Sequence, residues 1–187
     1  MIAFRSCYVH LEVIRIMRKI CLLLLALCWI PSFFAFADST DSRVPFPEGY
    51  RKWTFLHATV FGPKNGLFSK RPCEKPCTGG IMYFYANEKA MEGLRTGTFA
   101  DGAIIADELL ETHGSADGNV AAEGPRRGVG VMVKDRKRYE TTGGWGFASF
   151  DGDSKIDTLN AEGKNTCFQC HVPQKDHDYV FTVYRER

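Results

Sequence analysis

Hydrophobic and polar residues alternate, or aromatic and β-branched residues cluster, in several stretches of the chain, and such stretches are typical of β-strands. The predicted strands cover residues 50–60, 81–86, 102–112, 127–135 and 144–150. The composition of residues 102–112 would also permit a helix. Residues 178–186 are predicted to close the chain as a further strand or extended segment.

Helix and loop signals separate these strands. A helix is predicted after Asn87, because Asn87 can cap its start and Gly97 can end it. Residues 162–175 can hold one or two helical turns, whereas glycine and proline predict loops over residues 61–80 and 113–126. The pattern predicts an α+β domain built on an antiparallel sheet of about five strands with flanking helices.

The N-terminus differs in composition from the rest of the chain. Basic residues, among them Arg18 and Lys19, precede an apolar run that ends in Ala35-Phe36-Ala37, the small-x-small pattern that signal peptidase recognises. Residues 1–37 are therefore predicted to be a signal peptide, with Met17 as an alternative start, and the mature protein is predicted to be periplasmic.

Two other interpretations of this N-terminal segment remain open. A membrane anchor would use the same apolar run, although that run is short for a membrane span and Pro31 interrupts it. A lipoprotein cut before Cys28 is the other, although Leu27 stands where a small residue is expected.

Cleavage after Ala37 would leave a near-neutral mature chain. Residues 38–46 are polar and without pattern, which predicts a flexible leader, and residues 47–187 are predicted to form one domain. The full chain carries 24 basic and 22 acidic residues, and cleavage removes four of the former and one of the latter. The resulting formal charge of −1 argues against nucleic acid as a partner, because phosphate binding needs clustered Lys and Arg.

Four cysteines remain in the mature chain as two pairs, and the second pair belongs to a Cys-x-x-Cys-His motif. In a chain with a signal peptide this motif is typical of haem c attachment. On a helical turn Cys167, Cys170 and His171 share one face. The two thiols can then add to the vinyl groups of one haem, while His171 supplies the proximal nitrogen to the iron. The motif predicts one covalent haem c.

Other roles for the cysteines remain open. Cys167 and Cys170 could form a redox disulfide, although no βαβ pattern surrounds them. They could share a four-cysteine zinc site with Cys73 and Cys77, or be purely structural. Cys73 and Cys77 enclose three residues of a predicted loop, and in an oxidising compartment a structural disulfide between them is favoured over a redox switch.

The axial position opposite His171 has no clear ligand in the sequence. Each candidate has a more ordinary role in the core or at the surface, and the candidates are His57, His113, His177, Met82, Met91 and Met132. Glycines inside the predicted strands indicate either bulges or the close approach of another body, such as a flat macrocycle. Aromatic residues would then wall its pocket, and these are Trp53, Phe55, Tyr83, Phe84, Tyr85, Trp145, Phe147 and Phe150.

The order of several short motifs resembles the cytochrome P-460 family, which includes the cytochromes c′-beta. The motifs are FPEGYRKW, YANEKAMEGLRTGTFADG, VKDRKRY, GGWGF, CFQCH and YVFTVYR, and they extend from about Pro45 to Arg185. The resemblance implies a mainly antiparallel sheet with flanking helices, a homodimer, and a five-coordinate haem c held by His171, Cys167 and Cys170. It also implies an iron open to small nitrogen species such as nitric oxide or hydroxylamine.

The chain departs at two places from the hydroxylamine-oxidising enzymes of that family. Those enzymes cross-link their haem to a lysine, and the resemblance aligns Asp107 with it; no lysine lies between Gly102 and Asn119. A distal carboxylate that can transfer protons in those enzymes aligns with Gly130. Asp107 and Glu108 are otherwise expected to be solvated strand residues. Both departures argue against hydroxylamine oxidation.

These expectations lead to a periplasmic monohaem c-type cytochrome that binds nitric oxide or a similar small ligand at an open site, transfers electrons, or does both. An oxidoreductase acting on hydroxylamine or nitric oxide is the alternative, so enzymatic activity stays open. The distal pocket is predicted to include Phe55, Phe84, Asp107 and Gly130. The sequence does not indicate a redox partner protein.

Overall fold

Five antiparallel strands form one sheet in the computed structural model, which describes residues 43–68, 72, 77–115 and 119–183. The strands are β1 (Thr54–Phe61), β2 (Cys77–Ala86), β3 (Ile104–Gly114), β4 (Ala121–Lys134) and β5 (Trp145–Asp151). Each strand pairs with the next one along the chain, so the order across the sheet follows the order in the sequence.

Two α-helices accompany the sheet within the described residues, α1 (Glu88–Thr96) and α2 (Ala161–His171). Short 3-10 segments occupy Tyr50–Lys52, Gly66–Phe68, Glu140–Thr142 and Val172–His177. This arrangement confirms the predicted α+β class with its five-stranded antiparallel sheet. No helix in the described part of the chain is long and apolar enough to cross a membrane. The predicted signal peptide, residues 1–37, lies outside that part.

The helix α1 begins and ends where the sequence predicts. Asn87 Oδ1 accepts hydrogen bonds from the backbone N–H of Ala90 at 2.9 Å and of Ile104 at 3.0 Å. Asn87 Nδ2 donates to the Gly102 carbonyl at 2.9 Å. Gly97 ends the helix with a left-handed φ of 78°, which glycine adopts without strain. One side chain therefore caps α1 and also ties it to the start of β3.

The helix α2 is longer than the one or two turns that the sequence predicts. Asn160 caps it by accepting a hydrogen bond from the Gly163 N–H at 2.8 Å. Its 11 residues end at His171, and the 3-10 segment follows directly. Pro173 lies in the first turn of that segment, where its missing N–H costs little. The Cys-x-x-Cys-His motif therefore lies in one unbroken helix.

Two strands begin several residues inside segments that the sequence predicts to be loops. β2 begins at Cys77 instead of residue 81, and β4 begins at Ala121 instead of residue 127. The turn-forming residues there still pair with β3, since Gly80 lies opposite Glu111 and Ala122 opposite His113. Register shifts beside these pairs mark irregularities of the β-bulge type, which accommodate the misfit residues within the sheet.

The C-terminal segment forms no strand within the described residues 178–183, which leaves the extended segment as the predicted alternative, and residues 184–186 lie outside the described part of the chain. Asp178 and Tyr179 have left-handed φ values of 51° and 64°. Lys134 Nζ lies 2.6 Å from Asp178 Oδ1, and Trp145 Nε1 donates to the Asp178 carbonyl at 2.8 Å. These contacts hold the chain in a turn, and residues 180–183 continue without regular structure.

Hydrophobic clusters cover both faces of the sheet. Side chains alternate between the faces along a strand, so Ile105 and Ala106 of β3 enter different clusters. The cluster around Ile105 contains the fully buried Trp145 and receives side chains from both α1 and α2. The cluster around Ala106 receives residues that precede β1. Both helices therefore pack on the same face of the sheet.

The end of the predicted flexible leader, residues 38–46, is packed against the sheet, which corrects that prediction. Val44 is only 3% exposed, and the Phe46 ring meets Phe150 edge-on with centroids 5.1 Å apart. Two isolated hydrophobic residues beside a proline show no periodicity, so the sequence pattern gave no sign of this packing. Residues 38–42 lie outside the described residues.

Candidate functional site

A cavity of about 700 Å³ opens on the sheet face that carries the helices. All five strands, α2 and the C-terminal segment contribute to its walls, and the lining side chains are mainly hydrophobic. A cavity of this volume and character is typical of a site for a small molecule or a cofactor. We call it the large cavity.

The helix α2 brings the three residues of the Cys-x-x-Cys-His motif to the large cavity. Cys167, Cys170 and His171 all line it, as their i, i+3, i+4 spacing predicts. Both cysteines are free thiols, with Cys167 half-buried and Cys170 exposed. Burial raises the pKa of the Cys167 thiol, and the nearby Asp107 charge adds to the shift. The two thiols and the imidazole can therefore reach one bound molecule.

The ring of His171 is oriented by the turn that follows α2. Its Nδ1 lies 2.7 Å from the Tyr179 carbonyl oxygen. A carbonyl only accepts hydrogen bonds, so Nδ1 carries the hydrogen in this contact, and Nε2 is the nitrogen left to bind a metal. Phe147 and Phe181 flank the ring with centroids 5.3 and 4.9 Å away. A backbone carbonyl on the second nitrogen is the usual support of a metal-binding histidine.

Three of the four residues predicted for the distal pocket line the large cavity, namely Phe84, Asp107 and Gly130. The fourth, Phe55, does not. It is 41% exposed, and its ring lies near those of Tyr83 and Tyr85. The cause is a register shift between Phe55 and His57, which reverses the alternation of side chains and sends Phe55 to the opposite face.

The candidates for a sixth iron ligand divide into two groups. His57, Met82 and Met132 line the large cavity. Met91 of α1 is buried in the hydrophobic cluster, and His113 lies 3.7 Å from a carboxylate oxygen of Glu111, away from that cavity. His177 is an exposed residue of the 3-10 segment after α2.

Most of the aromatic residues that the sequence predicts to wall a haem pocket do not line the large cavity. Of its eight members only Phe84 and Phe147 line the large cavity. Trp145 is buried in the cluster beside α1. The other five members lie on the opposite face of the sheet, and these are Trp53, Phe55, Tyr83, Tyr85 and Phe150. Cavity residues that the sequence pattern did not indicate come from loops and the C-terminal segment, and include Leu67, Leu159, Val180, Phe181 and Thr182.

The neighbouring acids Asp107 and Glu108 lie on opposite faces, and Glu108 is not solvated as predicted. It is 1% exposed and accepts a hydrogen bond from Arg51 Nε at 3.0 Å, with Arg126 at 3.3 Å. Asp107 is half-buried at the wall of the large cavity. Burial raises the pKa of its carboxyl to about 6, against the opposing effect of a hydrogen bond from the Gly130 N–H.

The pKa of Asp107 gives a prediction for stability. Because the folded-state pKa is about 6 and the usual value is 3.8, the folded state holds the proton more tightly, and stability is lost as pH rises through this window. Asp107→Asn should therefore stabilise the protein by about 1 to 3 kcal/mol at about pH 8, with the difference vanishing near pH 4. Denaturant unfolding of matched preparations at several pH values measures it. A constant difference across this range would contradict the burial of the carboxylate.

The first cysteine pair is described in part. Cys77 is disulfide-bonded, so it is not available as a zinc thiolate. Cys73 lies outside the described residues, and the Cys73–Cys77 pairing stays a prediction. The described residues contain no group of three or more His, Cys, Asp or Glu side chains placed to hold a metal ion by themselves.

The residues of the large cavity fit a c-type haem. Two free thiols and one imidazole from a single helix face the same hydrophobic space. The hydrogen bond between His171 Nδ1 and Tyr179 leaves Nε2 as the metal-binding nitrogen. An iron held this way would take its remaining ligands from the macrocycle and so needs no further protein cluster.

Comparison with known proteins agrees with this chemistry. The family model described as cytochrome P460 matches residues 47–182. That match covers every described strand and both helices. A search of curated proteins found no match to the chain.

Proposed function

The chain belongs to the cytochrome P460 family, and from this membership we propose that it is a periplasmic monohaem cytochrome c that binds nitric oxide or a similar small ligand. The observation that carries the proposal is the convergence of Cys167, Cys170 and His171 on one hydrophobic cavity. A small uncharged ligand suits such a space, because entering it costs little desolvation.

Each residue of the motif has a distinct role in this proposal. Cys167 and Cys170 would hold the macrocycle through thioether bonds, and His171 Nε2 would be the proximal ligand. The bound haem would supply an iron that takes small ligands and changes oxidation state. The Tyr179 carbonyl, 2.7 Å from His171 Nδ1, orients the ring. The Lys134–Asp178 ion pair and the Trp145 hydrogen bond support that carbonyl through the turn.

The remaining cavity residues favour an open axial position. The His57 ring stacks on Phe84 with centroids 4.4 Å apart, and its Nε2 lies 3.5 Å from Thr182 Oγ1. Met132 belongs to the hydrophobic cluster and is 8% exposed. Met82 is the other methionine at the cavity, and a pure electron shuttle would be favoured if it bound the iron.

Oxidation of hydroxylamine or nitric oxide is the second candidate function. Asp107 favours this oxidation, because a carboxylate at the cavity can accept a proton from a substrate. Against it, the described lining of the large cavity contains no lysine, so the cross-linked haem of the enzymes has no amine to form from. Binding or electron transfer therefore remains the first proposal.

Spectroscopy of the exported protein tests the proposal. Protein made with its own N-terminus in cells that mature c-type cytochromes should give a haem-stained band after denaturing electrophoresis. We expect a high-spin ferric spectrum, an ordinary c-type reduced spectrum, and a new spectrum when nitric oxide is added. A low-spin spectrum that nitric oxide does not change would contradict the open site.

Two further measurements separate the alternatives. Steady-state oxidation of hydroxylamine with an electron acceptor, compared with free haem at equal concentration, decides between enzyme and binding protein. Rates no higher than those of free haem would dismiss the enzyme. Sedimentation of the same preparation tests the homodimer that the family resemblance implies.

A further inference from the structure

A second cavity of about 370 Å³ adjoins the large cavity on the same face of the sheet. Five residues line both cavities, and these are Leu67, Met82, Asp107, Gly130 and Ser149. Asp107 of β3 pairs with Gly130 of β4, which sets its carboxyl at this junction. Among the described residues that line the large cavity, Asp107 is the one with a carboxylate.

Gly130 makes room for the Asp107 carboxyl. A Cβ atom at position 130 would lie 2.3 Å from Asp107 Oδ2 and 2.9 Å from its Cγ, closer than nonbonded carbon atoms approach. Without that atom the carboxyl lies against β4 and accepts a hydrogen bond from the Gly130 N–H. The glycine therefore keeps the carboxyl at the wall and out of the central space.

Asp107 forms no ion pair with the ionisable groups around it among the described residues. Those lining the two cavities are His57 from β1, Arg127 from β4, Asp151 from β5, and Cys167, Cys170 and His171 from α2, while β2 contributes only the uncharged Met82 and Phe84. Arg127 directs Nη1 to Glu111 Oε1 at 2.7 Å and its guanidinium to the Phe68 ring. Its charge is thus matched by Glu111.

We propose that Asp107 selects the ligands of the large cavity by charge, admitting small neutral molecules and opposing small anions. Two negative charges a few ångströms apart repel strongly where hydrophobic walls replace water, whereas a neutral ligand experiences no such electrostatic repulsion. The inference rests on the proposed function, since a ligand meets Asp107 only if the bound iron has an open position. It adds the ligand class, because nitric oxide or another uncharged molecule would be admitted whereas anions such as azide and nitrite would be opposed.

This selectivity should depend on pH. Burial raises the pKa of Asp107 to about 6, so the carboxyl is ionised above that value and neutral below it. Opposition to anions therefore strengthens as pH rises through about 6 and fades below it. Azide itself also takes up a proton in acid, so the ratio of affinities between variant and parent protein is the quantity to follow.

The test compares azide, an anion, with nitric oxide, a neutral molecule, on the ferric haem-loaded protein. Asp107→Asn keeps the shape of the side chain and removes its charge. We expect azide to bind about 10- to 100-fold more tightly to this variant at about pH 8, and nitric oxide to change by less than about threefold. The azide ratio should approach one at about pH 4, where parent and variant are both uncharged at this position.

Two further variants control the comparison. Asp151→Asn removes an exposed carboxylate that lines only the smaller cavity, and solvent screening should limit its effect on azide to about twofold. Gly130→Ala displaces the Asp107 carboxyl but keeps its charge, so azide should not bind more tightly. Infrared difference spectra should show a protonated carboxyl that titrates in the parent protein and is missing in Asp107→Asn.

The outcomes separate this inference from the proposed function. If nitric oxide binds the parent protein but azide affinity is the same in Asp107→Asn, charge selection is wrong and the open site stands. If Asp151→Asn has the larger effect, the selecting charge is not Asp107. If neither ligand binds either protein although haem is attached, the proposed open site is wrong, and the inference fails with it.

Discussion

Replacing both Cys167 and Cys170 by serine is expected to abolish covalent haem attachment completely. A serine hydroxyl does not add to a vinyl group to give a thioether, and both thiols that line the large cavity are then gone. Each single variant should keep one bond and a weaker stained band. Mass spectrometry of the exported polypeptide and haem staining after denaturing electrophoresis measure the loss.

The fold should survive this double substitution. Cys170 is exposed and Cys167 is half-buried, so the cost to the free energy of unfolding should stay within about 1 to 2 kcal/mol, compared in haem-free preparations. Thr166→Ser, an exposed position on the same helix, is the matched control and should keep full attachment. Added haem mass on the double variant would mean that another residue holds the macrocycle, and the interpretation of the motif would be wrong.

The sequence predicts the parts of this fold that depend on local chemistry. Asn87 and Gly97 delimit α1 because one caps the first turn and the other accepts a left-handed φ. The spacing of Cys167, Cys170 and His171 predicts a shared face, and a helix supplies that face whatever surrounds it. Such features need only neighbours within a few residues.

Long-range pairing explains the predictions that failed. Phe55 lies on the opposite face because of a register shift against β2, and the residues next to it in the sequence do not indicate a bulge. The C-terminal segment has the alternation of a strand, yet Lys134 and Trp145 bind Asp178 and bend the chain. A strand propensity of a few tenths of a kcal/mol per residue is smaller than the free energy of contacts of this kind, so the contacts decide the conformation.

The same long-range contacts build the candidate site around the motif. The carbonyl that orients His171 belongs to Tyr179, which has a left-handed φ. The turn that contains Tyr179 is held by contacts from Lys134, at the end of β4, and Trp145, at the start of β5, to Asp178. The position of Asp107 at the cavity depends on its pairing with Gly130. Sequence alone names the cysteines and the histidine, whereas the pairing of β3 with β4 and the turn after α2 decide what surrounds them.

His171→Ala is expected to remove the proximal ligand while both thioether bonds remain. The haem stain after denaturing electrophoresis should match that of the parent protein, because Cys167 and Cys170 are unchanged. The absorption spectrum should change completely, since His171 is the imidazole that shares a helix face with both thiols. Added imidazole should restore much of the parent spectrum by entering the space that the side chain leaves.

The matched control for this variant is His177→Ala. His177 is an exposed histidine six positions further on, so its loss should leave the spectrum unchanged. A parent-like spectrum in His171→Ala would show that a different residue binds the iron, with His57 as the first to replace because it also lines the large cavity. The hydrogen bond from Nδ1 to the Tyr179 carbonyl would then need another explanation, since orienting a metal-binding Nε2 is the role that this contact normally serves.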